Sequence, residues 1–305
     1  MEPAVPGSSA VRRILLENFR GGEFQLLGWF SSHSSQVADL KRTLRVLLLV
    51  SSLFAASQAW AQQSADETPT ANPARPTVAT PATLTPVGYL QFENGVLYAS
   101  DSGEFTSQTS INQVTKLSVT SRLQFLLLSE PYAHSKITDA QSSSDPGGVS
   151  AGIQGVLFPG EGKRPTVSAS YIHSLYGGTA ADIDIGSAKN TGILLVSTDM
   201  GGFHLDINGL VSEQSDAGIR RAQFGQTVSV SHPLGPVTIG GELWHFSQPL
   251  IRGNAIGNLW CVSYALKKNL VADAGFNRGL TTTSTQWEGF AGFTYLWPHR
   301  LWRAR

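Results

Sequence analysis

The chain is poor in charge, cysteine and long apolar runs. Asp, Glu, Lys and Arg make up 14% of its 305 residues, against about 25% in an ordinary soluble domain. Acidic and basic residues are equal in number, so the formal net charge is zero. A nucleic-acid binder normally shows a basic excess, and none exists. Cys261 is the single cysteine, which excludes an intrachain disulfide scaffold and a cysteine-built metal site. Disorder throughout is excluded as well, because 7 Trp, 7 Tyr and 14 Phe are present and disordered chains are poor in aromatics. With 31 Gly, 41% hydrophobic residues and a mean hydropathy of −0.05, two classes remain. One is a mild soluble globule. The other is a membrane β-protein, which needs few charges, many small residues and only average hydropathy.

The one apolar run is short. Lys41-Arg42-Thr43-Leu44-Arg45 precedes Val46–Ala56, which carries no charge, and Ser57-Gln58-Ala59-Trp60-Ala61 follows. A basic region, a short apolar region and small residues at the end form a secretory signal, with cleavage expected after Ala61. A membrane-spanning helix needs about 20 apolar residues, more than this run supplies. Residues 1–40 lie upstream of that signal without sustained periodicity. They are expected to be a non-native or disordered extension, with translation starting near Lys41. Without residues 1–61 the chain keeps 16 basic and 18 acidic residues, a net of −2.

Residues 62–86 are rich in Pro, Thr and Ala. Proline fixes φ and removes a donor, so neither helix nor sheet is expected there. The segment reads as a tether or plug-like lead on the periplasmic side, a plain disordered linker being the favoured form.

From Val87 the hydropathy pattern has a period of two. Phe203, Leu205, Ile207, Gly209 and Val211 oppose His204, Asp206, Asn208 and Leu210, as they do on the two faces of a strand. Val228 and Val230 likewise oppose Thr227, Ser229 and Ser231. Alternation bounded by turn residues predicts about twelve strands. They lie near 87–98, 108–118, 122–133, 148–158, 164–174, 189–199, 202–211, 220–232, 235–246, 255–266, 269–278 and 286–297. Sandwich strands run to about 5–6 residues, whereas a tilted membrane-spanning strand needs about 9–11. The longer value fits. Very short connections (117–122, 199–202, 232–235) alternate with longer ones (133–147, 175–188, 212–219, 281–285), as in bacterial outer-membrane barrels. The expected fold is all-β: a closed antiparallel transmembrane β-barrel of residues 87–297, followed by a basic tail, 298–305. Tyr89, Tyr98, Tyr171, Trp244, Trp260, Tyr264, Trp287, Tyr295 and Trp297 fall near strand ends and are expected to form aromatic girdles. The last strand, Phe293-Thr294-Tyr295-Leu296-Trp297, resembles the signal read by the outer-membrane insertion machinery, although a basic tail follows it.

The segment Val114–Phe125, with Thr115-Lys116-Leu117 and Arg122-Leu123-Gln124 around its turn, resembles the second-to-third-strand hairpin of the meta-pathway phenol-degradation (MetA-like) transporter family. Gln91-Phe92-Glu93-Asn94-Gly95, Asp145-Pro146-Gly147-Gly148, the strand Val149–Leu157 and the Pro-led strand Pro165–Ser174 follow the same order of pieces. The resemblance covers roughly residues 87–297. It implies a cell outer-membrane barrel that passes small, hydrophobic or aromatic solutes.

The polar faces supply candidate lumen-lining residues: His204, Asp206, Glu242, Asp273 and Glu288. Acidic rings in a pore favour cations, but such residues also pair with Arg or Lys in a packed lumen, and that role is favoured. Lys116 and Arg122 are read as turn or lumen charges. Catalytic, cofactor and metal sites are not expected. His134, His173, His204, His232 and His245 lie among many serines, but no HExxH motif occurs, and the one Gly-x-Ser-x-Gly spacing, Gly148-Val149-Ser150-Ala151-Gly152, falls within the expected strand 148–158 rather than at a strand-to-helix turn. His173 and Ser174, being adjacent, face opposite sides of a strand. Asp182-Ile183-Asp184 is a weak Ca²⁺ signal. The reading is therefore a transporter-like pore and not an enzyme, with outer-membrane lipid, the insertion machinery and small solutes as partners and no nucleic acid. A membrane-embedded lipid-modifying enzyme and a soluble exported β-sandwich binding protein remain as alternatives.

Overall fold

The computed structural model describes residues 69–138, 141–161, 164–180, 188–216, 219–251 and 253–302. The extension, the signal segment and the Asp182-Ile183-Asp184 loop lie outside the described residues. The described residues contain no helix. The strands are β1 (Leu90–Ser100), β2 (Ser107–Thr120), β3 (Leu123–Thr138), β4 (Gln141–Asp145), β5 (Val149–Phe158), β6 (Thr166–Tyr176), β7 (Ala188–Met200), β8 (Phe203–Asp216), β9 (Ile219–Leu234), β10 (Val237–Gln248), β11 (Gly253–Lys267), β12 (Leu270–Gly279) and β13 (Trp287–Leu296).

Each strand pairs antiparallel with its neighbour, and β1 pairs with both β2 and β13, so twelve strands close into a barrel. Closure pairs every strand edge, which is the condition for strands to cross a bilayer. Ring strands run from 10 to 16 residues, long enough for a tilted crossing. The thirteenth strand, β4, pairs with β3 alone. Its origin is local. Pairing of β3 with β5 stops at Ser129–Val149, two residues before Pro131, which has no N–H to continue a ladder. Beyond the proline, Ala133–Thr138 takes β4 as partner instead. The stretch expected to be a loop after Ala133 is therefore a hairpin extension of the wall.

Tight turns join β2–β3, β7–β8, β9–β10 and β11–β12 at one end of the barrel; at the other, β8 and β9 run on to the Asp216–Ile219 pair, so the connection expected to be long at 212–219 is short. The β7–β8 turn is Gly201-Gly202, with φ of 62° and 84°, the left-handed conformation that a two-residue hairpin demands and that glycine adopts without strain.

The burial pattern is inverted relative to a soluble protein. Asn208 is 4% exposed while Ile207, beside it on β8, is 42% exposed. The same inversion runs around the ring: Gln91, Glu93, Gln124, Gln154, Ser168, Thr227, Glu242 and Asp273 are buried, while Val96, Phe125, Ile153, Val228, Leu243, Trp260, Phe276 and Phe293 are exposed. A contiguous apolar exterior of this kind marks a lipid-facing surface. The parity also corrects two expected girdle residues. Trp244 shares a face with Glu242 and Phe246 and is buried inside, and Tyr89 is buried against Ala71, Val271 and Leu296.

The inverted surface predicts an asymmetric response to charge. Ile207→Arg, on the lipid face, is expected to destabilise the folded barrel by ~2–4 kcal/mol, and Ser215→Arg, on the same face near the strand end, by less than ~1 kcal/mol. Urea unfolding in lipid vesicles reads both, and equal effects would contradict a bilayer around the barrel.

Candidate functional site

The proline-rich segment does not lie outside the barrel. Residues 69–86 enter at the tight-turn end, where the Ala71 N–H donates to the carbonyl of Lys268 at 2.8 Å. They then cross the bore, meeting in turn β1, β12, β10, β8, β7, β6 and β5, then β3, before the chain turns into β1. The wall residues they meet lie about five positions into β10 and β8 but only two or three into β6 and β7 from the tight-turn end. The segment therefore forms an arch that rises to mid-barrel and returns.

Its composition suits this place. A buried main-chain N–H must find an acceptor, and Pro73, Pro76, Pro81 and Pro86 have none to satisfy. Seven of the remaining donors meet side-chain acceptors on the wall. The N–H of Asn72 donates to Oε1 of Gln91 (2.9 Å), and that of Ala74 to Oε1 of Glu93 (3.2 Å). Val78 and Ala79 donate to the two oxygens of Glu242, each at 2.8 Å. Thr80 donates to Oδ1 of Asn208 (2.6 Å), Ala82 to Oγ of Ser197 (2.7 Å) and Thr85 to Oε1 of Gln124 (2.9 Å). Wall donors answer the carbonyls: Gln91 bonds that of Asn72 (2.7 Å), Asn208 that of Thr80 (3.0 Å) and Gln154 that of Pro81 (3.0 Å), while Ser168 bonds that of Ala82.

Two side chains of the segment are also received. Arg75 reaches Oδ1 of Asp273 at 3.3 Å. Its guanidinium lies over Gly95 and Gly292, cross-strand partners on β1 and β13, and a Cβ on either glycine would overlap it. Val78 packs against Trp244, Phe246 and Ala255. Glycines make room here too, since a Cβ at Gly257 would strike Trp244 and one at Gly225 would strike Phe246. Part of the high glycine content is thus explained as notches cut into the inner wall.

The five candidate lumen residues all project inward, and each has a partner. His204 sets Nε2 3.2 Å from Asp206 and Nδ1 2.7 Å from Asp199. Asp206 also accepts from the hydroxyl of Ser197, which in turn holds Ala82. Glu242 holds two N–H groups of the arch, and Asp273 holds Arg75. Glu288 accepts from Nδ2 of Asn277 at 3.0 Å, whose Oδ1 accepts from Nε1 of Trp244 at 2.8 Å. Lys116 pairs with Glu93 inside the barrel, while Arg122 sits in the exposed β2–β3 turn. The structure thus brings Glu242 and Asp273 together through the arch rather than through each other. Sequence reasoning missed Gln91, Asn208, Gln154 and the two notch glycines. Gln91 and Asn208 were visible as polar residues on the inner parity, but nothing local to them indicates what they bond.

Among the described residues, no group of three or more His, Cys, Asp or Glu side chains is arranged to hold a metal ion. The Ca²⁺ signal at residues 182–184 lies outside them.

These features define a class: a closed twelve-stranded β-barrel of the outer-membrane type, with a bore crossed by its own leading segment. No protein-family model matches the chain, and no curated protein matches it. Among solved structures, an outer-membrane channel from Pseudomonas putida F1 is similar, with a TM-score of 0.54 at 14% identity, over 71% of this chain and 98% of that one. The NanC porin gives 0.48 at 10% identity over 68% and 98% of the two chains, and the KdgM porin 0.45 at 11% over 68% and 98%. The likeness to the Pseudomonas channel is one of fold.

The Arg75 notch is testable by closing it. Gly95→Val, whose Cβ would meet the Arg75 side chain first, should displace the guanidinium and loosen the arch. Maleimide labelling of Ala79→Cys, in a Cys261→Ser background, should then speed up at least ~10-fold, the effect of losing ~1.4 kcal/mol of closure. An unchanged rate would mean that the notch does not hold the segment.

Proposed function

We infer that this protein is an outer-membrane channel for small solutes, held shut at rest by residues 69–86. The observation that carries this reading is a polar bore, wrapped in an apolar exterior, whose inner wall is bonded to the chain's own leading segment rather than packed solid by strand side chains. A barrel built only for stability would fill its bore from the strands. Here the wall keeps notches and unmatched acceptors that another stretch of chain occupies. Opening then means withdrawing the arch toward the tight-turn end, where it enters.

The remaining parts of the reading fit around that core. Residues 41–61 supply export by a cleavable signal. The tight-turn end is the periplasmic one, and the β13 sequence Phe293–Trp297 serves the insertion machinery. The resemblance of Val114–Phe125 to the MetA-like transporter family points to small hydrophobic or aromatic solutes. Trp244 and Phe246, tilted at 35° to each other with ring centroids 5.6 Å apart, are where an aromatic ring would pass.

Membrane fractionation and heat-modifiable gel mobility test the location. Extraction by buffer without detergent would support the soluble alternative instead. Planar-bilayer recording tests the pore. The purified chain is expected to open rarely, and Glu242→Ala, which removes two bonds from the arch, is expected to raise the open probability at least ~10-fold, matching ~1.4 kcal/mol. No conductance from either protein would overturn the channel reading.

A further inference from the structure

The wall contacts of the arch have a common form: they address main chain. Gln91 accepts the N–H of Asn72 and donates to its carbonyl, at 2.9 and 2.7 Å. Asn208 does the same for Thr80, at 2.6 and 3.0 Å. A side-chain amide that bonds both polar groups of one residue reproduces the pair of bonds exchanged between strands of an antiparallel ladder. Two such amides stand eight residues apart along the segment. Between them Glu242 spans two consecutive N–H groups, and beyond them Gln154 and Ser168 answer carbonyls. Polar side chains of the segment are in part turned back on it: Nδ2 of Asn72 donates to the carbonyls of Thr83 and Leu84, and the hydroxyl of Thr77 to those of Ala74 and Ala79.

Side-chain recognition adds two features. Asp273 with Gly95 and Gly292 forms an acidic notch that fits a guanidinium. Three residues further along, Trp244, Phe246 and Ala255 form an apolar seat that fits Val78. Backbone bonds give affinity to an extended peptide and pockets for chosen side chains give selectivity. Proline fixes φ, so a proline-rich ligand has less conformational entropy to lose on taking up the bent path of such a site.

We propose that the bore is a binding site for bent peptide main chain, and that the solutes of this channel are short peptides with a basic residue and an apolar residue three positions later, the arch being a tethered occupant of the same site. This inference rests on the channel reading above and takes the solute class from the groups the wall holds, in place of the hydrophobic or aromatic solutes that the family resemblance suggests. Peptide bonds, a guanidinium and an apolar side chain are all groups the wall is seen to hold. A neutral sugar of equal mass offers hydroxyls but neither the alternating N–H and C=O spacing nor the cation.

The test uses the full chain with its arch loosened by Ala79→Pro, which removes one N–H held by Glu242 and leaves the wall intact. The probe is the blocked peptide acetyl-Arg-Pro-Thr-Val-Ala-Thr-Pro-amide, added to single channels in a planar bilayer. It should interrupt the current at a concentration at least ~10-fold below that needed by the same peptide N-methylated at its Val and second Thr, and below that of a neutral oligosaccharide of equal mass. The interruptions should shorten as voltage drives the cationic peptide forward, because a solute must bind weakly enough to leave. Equal blocking by the N-methylated peptide or by the sugar would overturn the proposal, and so would interruptions that lengthen with voltage. Should the variant refold and carry no current, the channel reading fails, and peptide binding is then judged by a fluorescence change that Trp244→Phe abolishes. Should the variant not refold, the same peptides are tested on the unloosened chain carrying Ala79→Cys and Cys261→Ser. A tethered segment competes at an effective concentration on the order of millimolar, so the free peptide above ~10 mM should accelerate maleimide labelling and its N-methylated form should not. Equal labelling with both would again overturn the proposal.

Discussion

Glu242 accepts two consecutive main-chain N–H groups from a segment that has no strand to pair with. That bond pattern stands for the constraint on which the rest of the structure depends: every buried main-chain polar group needs a partner. In the wall the constraint is met by closure. β1 must pair with β13 as well as β2, because a bilayer offers no water to an open edge. In the bore it is met by side chains. Gln91, Asn208, Gln124, Gln154, Ser197 and Glu242 act as a substitute strand for residues 72–85, and the prolines of that segment lower the number of donors that must be matched.

The same constraint explains why the lumen looks as it does. A segment that crosses a barrel needs amides and carboxylates at its level and space above the backbone for its larger side chains. The first requirement gives the buried Gln, Asn, Glu and Asp of the inner parity. The second gives Gly95 and Gly292 beneath Arg75, and Gly225 and Gly257 beside Phe246 and Trp244. Low charge, abundant glycine and neutral hydropathy are therefore not separate features of the composition. They come from one surface that faces lipid and another that holds peptide.

In the proposed channel, opening exchanges these bonds for others. Water can replace them one by one, but a carboxylate such as Asp273 would lose its only cationic neighbour described here, and Trp244 would lose the apolar cover of Val78. A solute that offers an N–H, a cation and an apolar group at similar spacing would restore what the arch provides. Under that proposal, the energetic symmetry between occupant and solute would make a resting closed state compatible with passage.

Much of the fold was legible because alternation along a strand is a local property. Phe203–Val211 shows its two faces within nine residues, and the inner parity of His204, Asp206, Glu242, Asp273 and Glu288 follows from counting by two. Local pattern failed where a partner is distant. Trp244 reads as a girdle aromatic until its neighbours Glu242 and Phe246 fix its face inside the barrel, and residues 133–145 read as a loop until Pro131 ends one pairing and permits another. Residues 62–86 show in sequence only that they cannot form helix or sheet. Proline restricts φ but says nothing about what its neighbours bond. The sequence alone determined the strands, their faces and the exclusion of helix and sheet from the leading segment. Tertiary structure decided that residues 69–86 lie within the bore, because Glu242 is more than 160 residues from the N–H groups it holds and only closure of the barrel brings them together.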